Sequence, residues 1–228
     1  MENLTTYIDG YCERISPGLF DEPLNAISNL AFIFAALLVW YYLRSRNPPT
    51  ISIVLTVTLA MIGVGSGLLH TFATVWGAIA DVFFIAAFVI VYIYGANRHF
   101  FKLKILYSVI LTILVFALLI PLGYMIQNLL PFIGGSSIYA SIATIIFIYG
   151  FLLLKSDKVV GIKLLIGGVI LSISIGFRII DLPYCEINHH GTHWVWHVLN
   201  AVMLSWMILA ISENILRDEK ETNLDETK

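Results

Sequence analysis

Seven stretches of this chain, at about 24–43, 51–69, 75–95, 104–124, 137–154, 160–180 and 194–213, are apolar almost without interruption. Each approaches the ~20 residues that an α-helix needs to cross the hydrocarbon of a bilayer. Lipid offers no water to the backbone, so segments of this length must satisfy their polar groups internally, as helices. That one feature narrows the fold to an all-α, polytopic seven-helix transmembrane bundle. Composition agrees: the 228 residues are 59% hydrophobic and only 12% charged, against roughly 25% charged in a soluble domain.

The least sharp boundary lies between Pro121 and Pro131, where the fourth stretch gives way to a GGSS turn. The start, MENLTTYIDGYCE, is acidic and polar, unlike the basic stretch and apolar run of a cleavable signal. No basic patch exists beyond short loops, so nucleic acid is not an expected partner. Three regions follow: an amino-terminal segment 1–23, a bundle 24–213, and a polar tail 214–228 expected to be disordered or a short surface helix.

Lysines and arginines orient the bundle. RSRNPP joins the first two segments, NRHFFKLK the third and fourth, and KSDKVVGIK the fifth and sixth. The tail adds more, and in a seven-helix topology all of these fall on one side. Of 13 basic residues, only Arg14 and Arg178 map to the other. The positive-inside rule then puts the carboxyl terminus inside and the amino terminus outside.

Polar side chains collect at the outer face. His70 ends the second helix, Asp81 lies one to two turns into the third, and the seventh opens with HHGTHWVWH. His193 and His197 are four residues apart and share a helix face. With His70 they could hold an ion by three ligands and leave a fourth position open, the pattern of catalytic zinc. Ser66, four residues before His70, sits among Gly63, Gly65 and Gly67, which allow close helix approach. Its hydroxyl could donate to water or to an oxyanion, and Asp81 could orient a ligand or accept a proton. Ionisable groups inside membrane segments cost about 2.5 kcal/mol or more when unpaired, so they read as functional. The bland readings are interfacial histidines, a back-bonded packing serine, and Asp81 as a partner of Arg178. Arg178 and Asp181 read as an i,i+3 structural pair. His99 falls in the basic inner loop, and His189 and His190 lie in the outer loop.

A second cluster precedes the first helix. Glu22, Asn25 and Asn29 form one stripe, and Asp9, Glu13 and Glu22 offer hard oxygens suited to calcium, though outside any EF-hand pattern. Helix capping by Asp21 and solvation would explain the same composition. Cys12 and Cys185, the two cysteines, both map to the outer side. They could form a disulfide in an oxidising compartment, or stay as separate thiols.

GVGSGLLH, then Asp81, then HWVWH resembles the SxxxH…D…HxxxH signature of the alkaline ceramidases, within a broader group of seven-helix membrane hydrolases. YCE near the amino terminus, Glu22 followed by NAISN, and RIIDLPYC extend the resemblance across nearly the whole chain. The resemblance implies zinc on His70, His193 and His197, with Ser66 and Asp81 assisting the activated water. It also implies a Cys12–Cys185 disulfide and hydrolysis of the amide bond of ceramide or a related N-acyl lipid. The family's calcium motif, Asp-Trp-Cys-Glu-Glu-Asn and a later Glu, is altered here to GYCERI. Glu13 and Glu22 are kept, Gly10 stands where the Asp is expected beside Asp9, and Ile15 replaces the Asn.

Other classes compete. An adiponectin- or progestin-receptor type protein shares the metal pattern but not the YCE, Glu22 and Cys185 features. A retinal protein needs a lysine in the seventh helix, and 194–213 has none. A rhomboid-like serine protease would suit GVGSG, yet the aspartate and HxxxH suit a metal better. A transporter or scaffold would keep the cluster for structure alone. The expected location is a bacterial inner membrane with the site facing outward, or an endomembrane with a lumenal site.

Overall fold

A computed structural model describes residues 3–226. Among them, seven helices are long and apolar enough to cross a membrane. They are α1 (Pro23–Leu43), α2 (Thr50–Phe72), α3 (Val75–Phe100), α4 (Ile105–Leu129), α5 (Pro131–Leu153), α6 (Lys158–Ile179) and α7 (His193–Glu226). Each packs on the next, and α7 closes the bundle against α1 and also touches α2. The described residues form no sheet, only one isolated bridge between Tyr7 and Thr74.

Local chemistry explains the ends. Pro23 opens α1, where its missing N–H costs nothing. The Asp157 side chain accepts from the Val160 N–H and so caps α6. Ala73, in the left-handed region at φ 47°, stops α2 and lets α3 begin two residues later. The resulting hairpin is tight because Gly65 lies against α3: a Cβ there would sit 2.7 Å from the Ala80 carbonyl oxygen.

Two boundaries differ from the sequence expectation. α4 continues through Pro121 to Leu129, and α5 starts with a 3-10 turn at Pro131–Ser136, with Gly134 at φ 50°. The prolines that seemed to separate these elements fall inside one helix and at the first turn of the next, both tolerated positions. The polar tail is no separate unit. It extends α7 to Glu226, held by Arg217 on Asp157 and by Lys102 on Asp218 at 3.2 Å.

The amino-terminal segment is strapped across the end of the bundle that carries the histidines. Backbone N–H groups of Ile8, Val75 and Trp76 donate to the carbonyls of Ala73, Thr6 and Leu4 at 2.8–3.1 Å. The Cys12–Cys185 disulfide ties the same segment to the α6–α7 loop. The basic loops lie at the opposite end.

Candidate metal centre

His70 comes from the last turn of α2, and His193 and His197 from the first turns of α7. All three are buried, at 1–2% exposure. Ligand-capable atoms of the three lie within 4.8 Å of one another, the one such group of three or more His, Cys, Asp or Glu among the described residues. The i,i+4 pair on α7 and the α2 terminus therefore meet as their spacing suggested. His189 and His190 are exposed in the preceding loop, and His99 lies at the far end of the bundle.

Second partners orient the rings. His70 Nδ1 lies 2.6 Å from Glu22 Oε2, and His197 Nδ1 lies 2.7 Å from Ser28 Oγ. These contacts leave Nε2 of both rings for an ion, the usual arrangement in metal sites. His193 Nδ1 is buried without a hydrogen-bond partner. Three neutral-nitrogen donors with an orphaned ring atom suit zinc.

Asp181 fixes where α7 begins. Its carboxylate accepts from the N–H groups of Cys12 (3.0 Å), Thr192 (2.7 Å) and His193 (2.9 Å). The expected pairing of Asp181 with Arg178 therefore does not form. α6 ends at Ile179, so the two residues no longer share helical spacing. The α7 amino terminus, with its free N–H groups, is the stronger partner for the carboxylate.

In the acidic cluster expected to hold calcium, the Glu13 and Glu22 carboxylates have partners within the chain, while Asn25 Oδ1 and Asn29 Oδ1 are buried without one. Asp9 is exposed. Both Glu13 oxygens are taken by the N–H groups of Leu24 and Asn25 at 2.8 Å. Glu22 accepts from Arg14 Nε, from Asn25 Nδ2 and from His70. Arg14 is buried beside it, and its other nitrogens donate to the carbonyls of Ser16, Gly18 and His70 at 3.2, 2.9 and 2.8 Å. A cation belonging to the chain already occupies the cluster. Burial pushes the Glu22 carboxyl up, but His70, Arg14 and Asn25 prevail and hold it below the usual carboxylate range.

A small cavity, with about 60 Å³ of free space, opens at the histidines. Ser66 and Asp81 line it together with His193 and His197. Below lies a second, almost wholly apolar chamber lined by Phe88, Leu119, Ile145 and Met207 among others. The two share Val89, Ile142, Met203 and Leu204 as wall residues.

Several site residues carry no signal in the sequence. Tyr11 covers the histidines, its ring centroid 4.1 Å from His193 and 4.8 Å from His70. Burial pushes its phenol above the ordinary value, against the pull of the Arg178 guanidinium, so Tyr11 stays a neutral donor. Its only clue is that it precedes Cys12. Trp196 is three residues after His193 and could have been read onto the same face. Tyr139, Arg178 and Asn200 reach the cavity from three different helices. No protein-family model and no curated protein matches the chain.

Proposed function

We propose that this chain is a zinc-dependent hydrolase of the amide bond of ceramide or another N-acyl lipid, similar to the alkaline ceramidases. The observation that carries the reading is a cluster of three buried histidines, two of which line a cavity with Ser66 and Asp81 that shares wall residues with an apolar chamber. The apolar lining of that chamber matches the hydrocarbon of an acyl chain, which leaves the amide level with the polar side chains.

Zinc on His70, His193 and His197 would supply Lewis acidity toward a carbonyl and a more acidic water. Asp81 takes the proton of the attacking water and delivers it to the leaving nitrogen. Ser66 donates to the oxygen that gains charge as the carbonyl becomes tetrahedral. Glu22 and Ser28 hold two ligand rings in place, and Tyr11 shields the centre from bulk water. The carbon–nitrogen bond breaks, a carbon–oxygen bond forms, and a fatty acid and a free amine leave. In this reading the end with the basic loops faces the cytoplasm and the amino-terminal strap faces outside. The setting is an inner membrane, or an endomembrane with a lumenal site.

The test measures metal in detergent-purified wild type and His197→Ala, with fatty-acid release from labelled ceramide and a second N-acyl lipid. About one zinc per chain in wild type, lost with activity in the variant, is the expected result. Metal-free wild type without turnover overturns the reading. Zinc with turnover of the second lipid alone keeps the chemistry and replaces ceramide.

A further inference from the structure

Arg178 is the one Lys or Arg on the wall of the histidine cavity. Its Nη1 donates to Ser136 Oγ at 3.0 Å, and Tyr11 lines the same cavity. The guanidinium carbon lies 5.3 Å from the Tyr139 ring centroid and 5.7 Å from that of Trp196. Two aromatic faces thus fix the plane of a group that carries five donors. Among the described residues no carboxylate lies within 4.0 Å of it. Asp181, its sequence neighbour, is committed to three backbone N–H groups.

Its level in the bundle is informative. α6 and α7 are antiparallel neighbours, and Arg178 ends α6 where α7 begins. Along α7 the cavity wall starts at His193 and reaches the apolar chamber at Met203, Leu204 and Met207. Along α6, Leu171 lies two turns deeper than Arg178 on the same wall. The guanidinium and the apolar chamber are therefore at opposite ends of two adjoining cavities that share wall residues. A lipid with its acyl chain in the chamber presents its headgroup to Arg178. A neutral headgroup would leave this charge with Asp81, on the same wall but beyond 4.0 Å, as its carboxylate across the cavity, whereas an oxyanion would meet a preorganised fork directly.

We infer that Arg178 receives an oxyanion, carboxylate or phosphate, on the amine side of the scissile amide, so that the preferred substrate is an N-acyl lipid with an acidic headgroup. The hydrolase reading supplies the amide in this statement; the anion site rests on the cavity itself.

Binding to the full-length, detergent-purified protein tests it. Affinities would be measured for N-oleoylglycine, N-oleoyl-phosphoethanolamine and the neutral N-oleoylglycinamide, on wild type, Arg178→Gln and Arg178→Lys. At least one acidic lipid should bind about 10- to 100-fold tighter than the neutral amide, as one charge-assisted pair provides. The preference should vanish in Arg178→Gln and survive in part in Arg178→Lys. Whichever acidic lipid binds tighter identifies the headgroup. Equal affinities in wild type overturn the inference, as does a preference that persists in Arg178→Gln. Hydrolysis of the same lipids is read separately. Acidic preference without turnover of any amide sinks the hydrolase reading and keeps the anion site; turnover without that preference does the reverse.

Discussion

Glu22 is shared by two systems: one oxygen faces His70 and Asn25, and the other faces Arg14. It orients a ligand ring and neutralises a buried guanidinium together. Replacing it by Gln keeps the shape and removes the charge; with zinc held as proposed, its affinity should fall about 10- to 100-fold, the usual effect of losing a carboxylate behind a ligand histidine. Competition with a chromophoric chelator measures this. Arg14→Leu should cost about 3–5 kcal/mol, because it strands a buried carboxylate. The double variant Arg14→Leu/Glu22→Gln should recover part of that loss in thermal unfolding, since no uncompensated charge remains. If the double variant is no more stable than Arg14→Leu alone, the pair is not the source of the loss. At this scale the sequence revealed the residues that obey helical spacing, namely Ser66 with His70 and His193 with His197. Ser28, Arg14 and Tyr11 obey no spacing relative to them, and only folding brings them near.

Among the elements, α6 shows how a polar helix end is fixed in the bundle. Asp157 accepts from Val160 N at 3.1 Å and also pairs with Arg217 of α7. Burial pushes its carboxyl up, but the Val160 N–H and Arg217 outweigh this and lower it below the usual range. A depressed folded-state value means the contribution is complete above the ordinary carboxylate range and is lost as pH falls through the lowered one. Asp157→Asn should therefore cost about 1 kcal/mol near neutral pH, chiefly as a weakened cap and ion pair. The difference from wild type should shrink as pH falls below the ordinary carboxylate range and through the lowered value of Asp157, where its carboxyl takes up a proton. Thermal midpoints across that range check the prediction. Element ends were the part of the fold least visible beforehand. The fourth stretch, expected to end near 124, runs on to Leu129, and Pro131 stands in the first turn of α5. The tail looked separate because it is polar, but Arg217 and Asp218 contact neighbouring elements and keep α7 going.

The whole molecule has two unlike ends, the histidine centre under its strap and the cluster of basic loops. Because both cysteines are paired and no other exists, single cysteines can be introduced directly as topology reporters. Ile187→Cys, in the exposed α6–α7 loop, should react with a membrane-impermeant maleimide on intact cells or sealed vesicles. Lys155→Cys, between α5 and α6, should react only after permeabilisation. The opposite pattern would invert the proposed orientation.

The number of spans, their approximate limits and the histidine pair on one face were determined by sequence alone. Each rests on periodicity or run length within a single helix, which a linear reading can see. Tertiary structure decided what stands behind and above that face. Arg14 rather than a free ion fills the acidic cluster, Asp181 serves the start of α7 rather than Arg178, and Arg178 turns to the cavity. Those outcomes depend on which buried donors and acceptors meet across 8 to 169 positions of sequence. In a medium without water to satisfy the losers, that competition is settled only when the helices have packed.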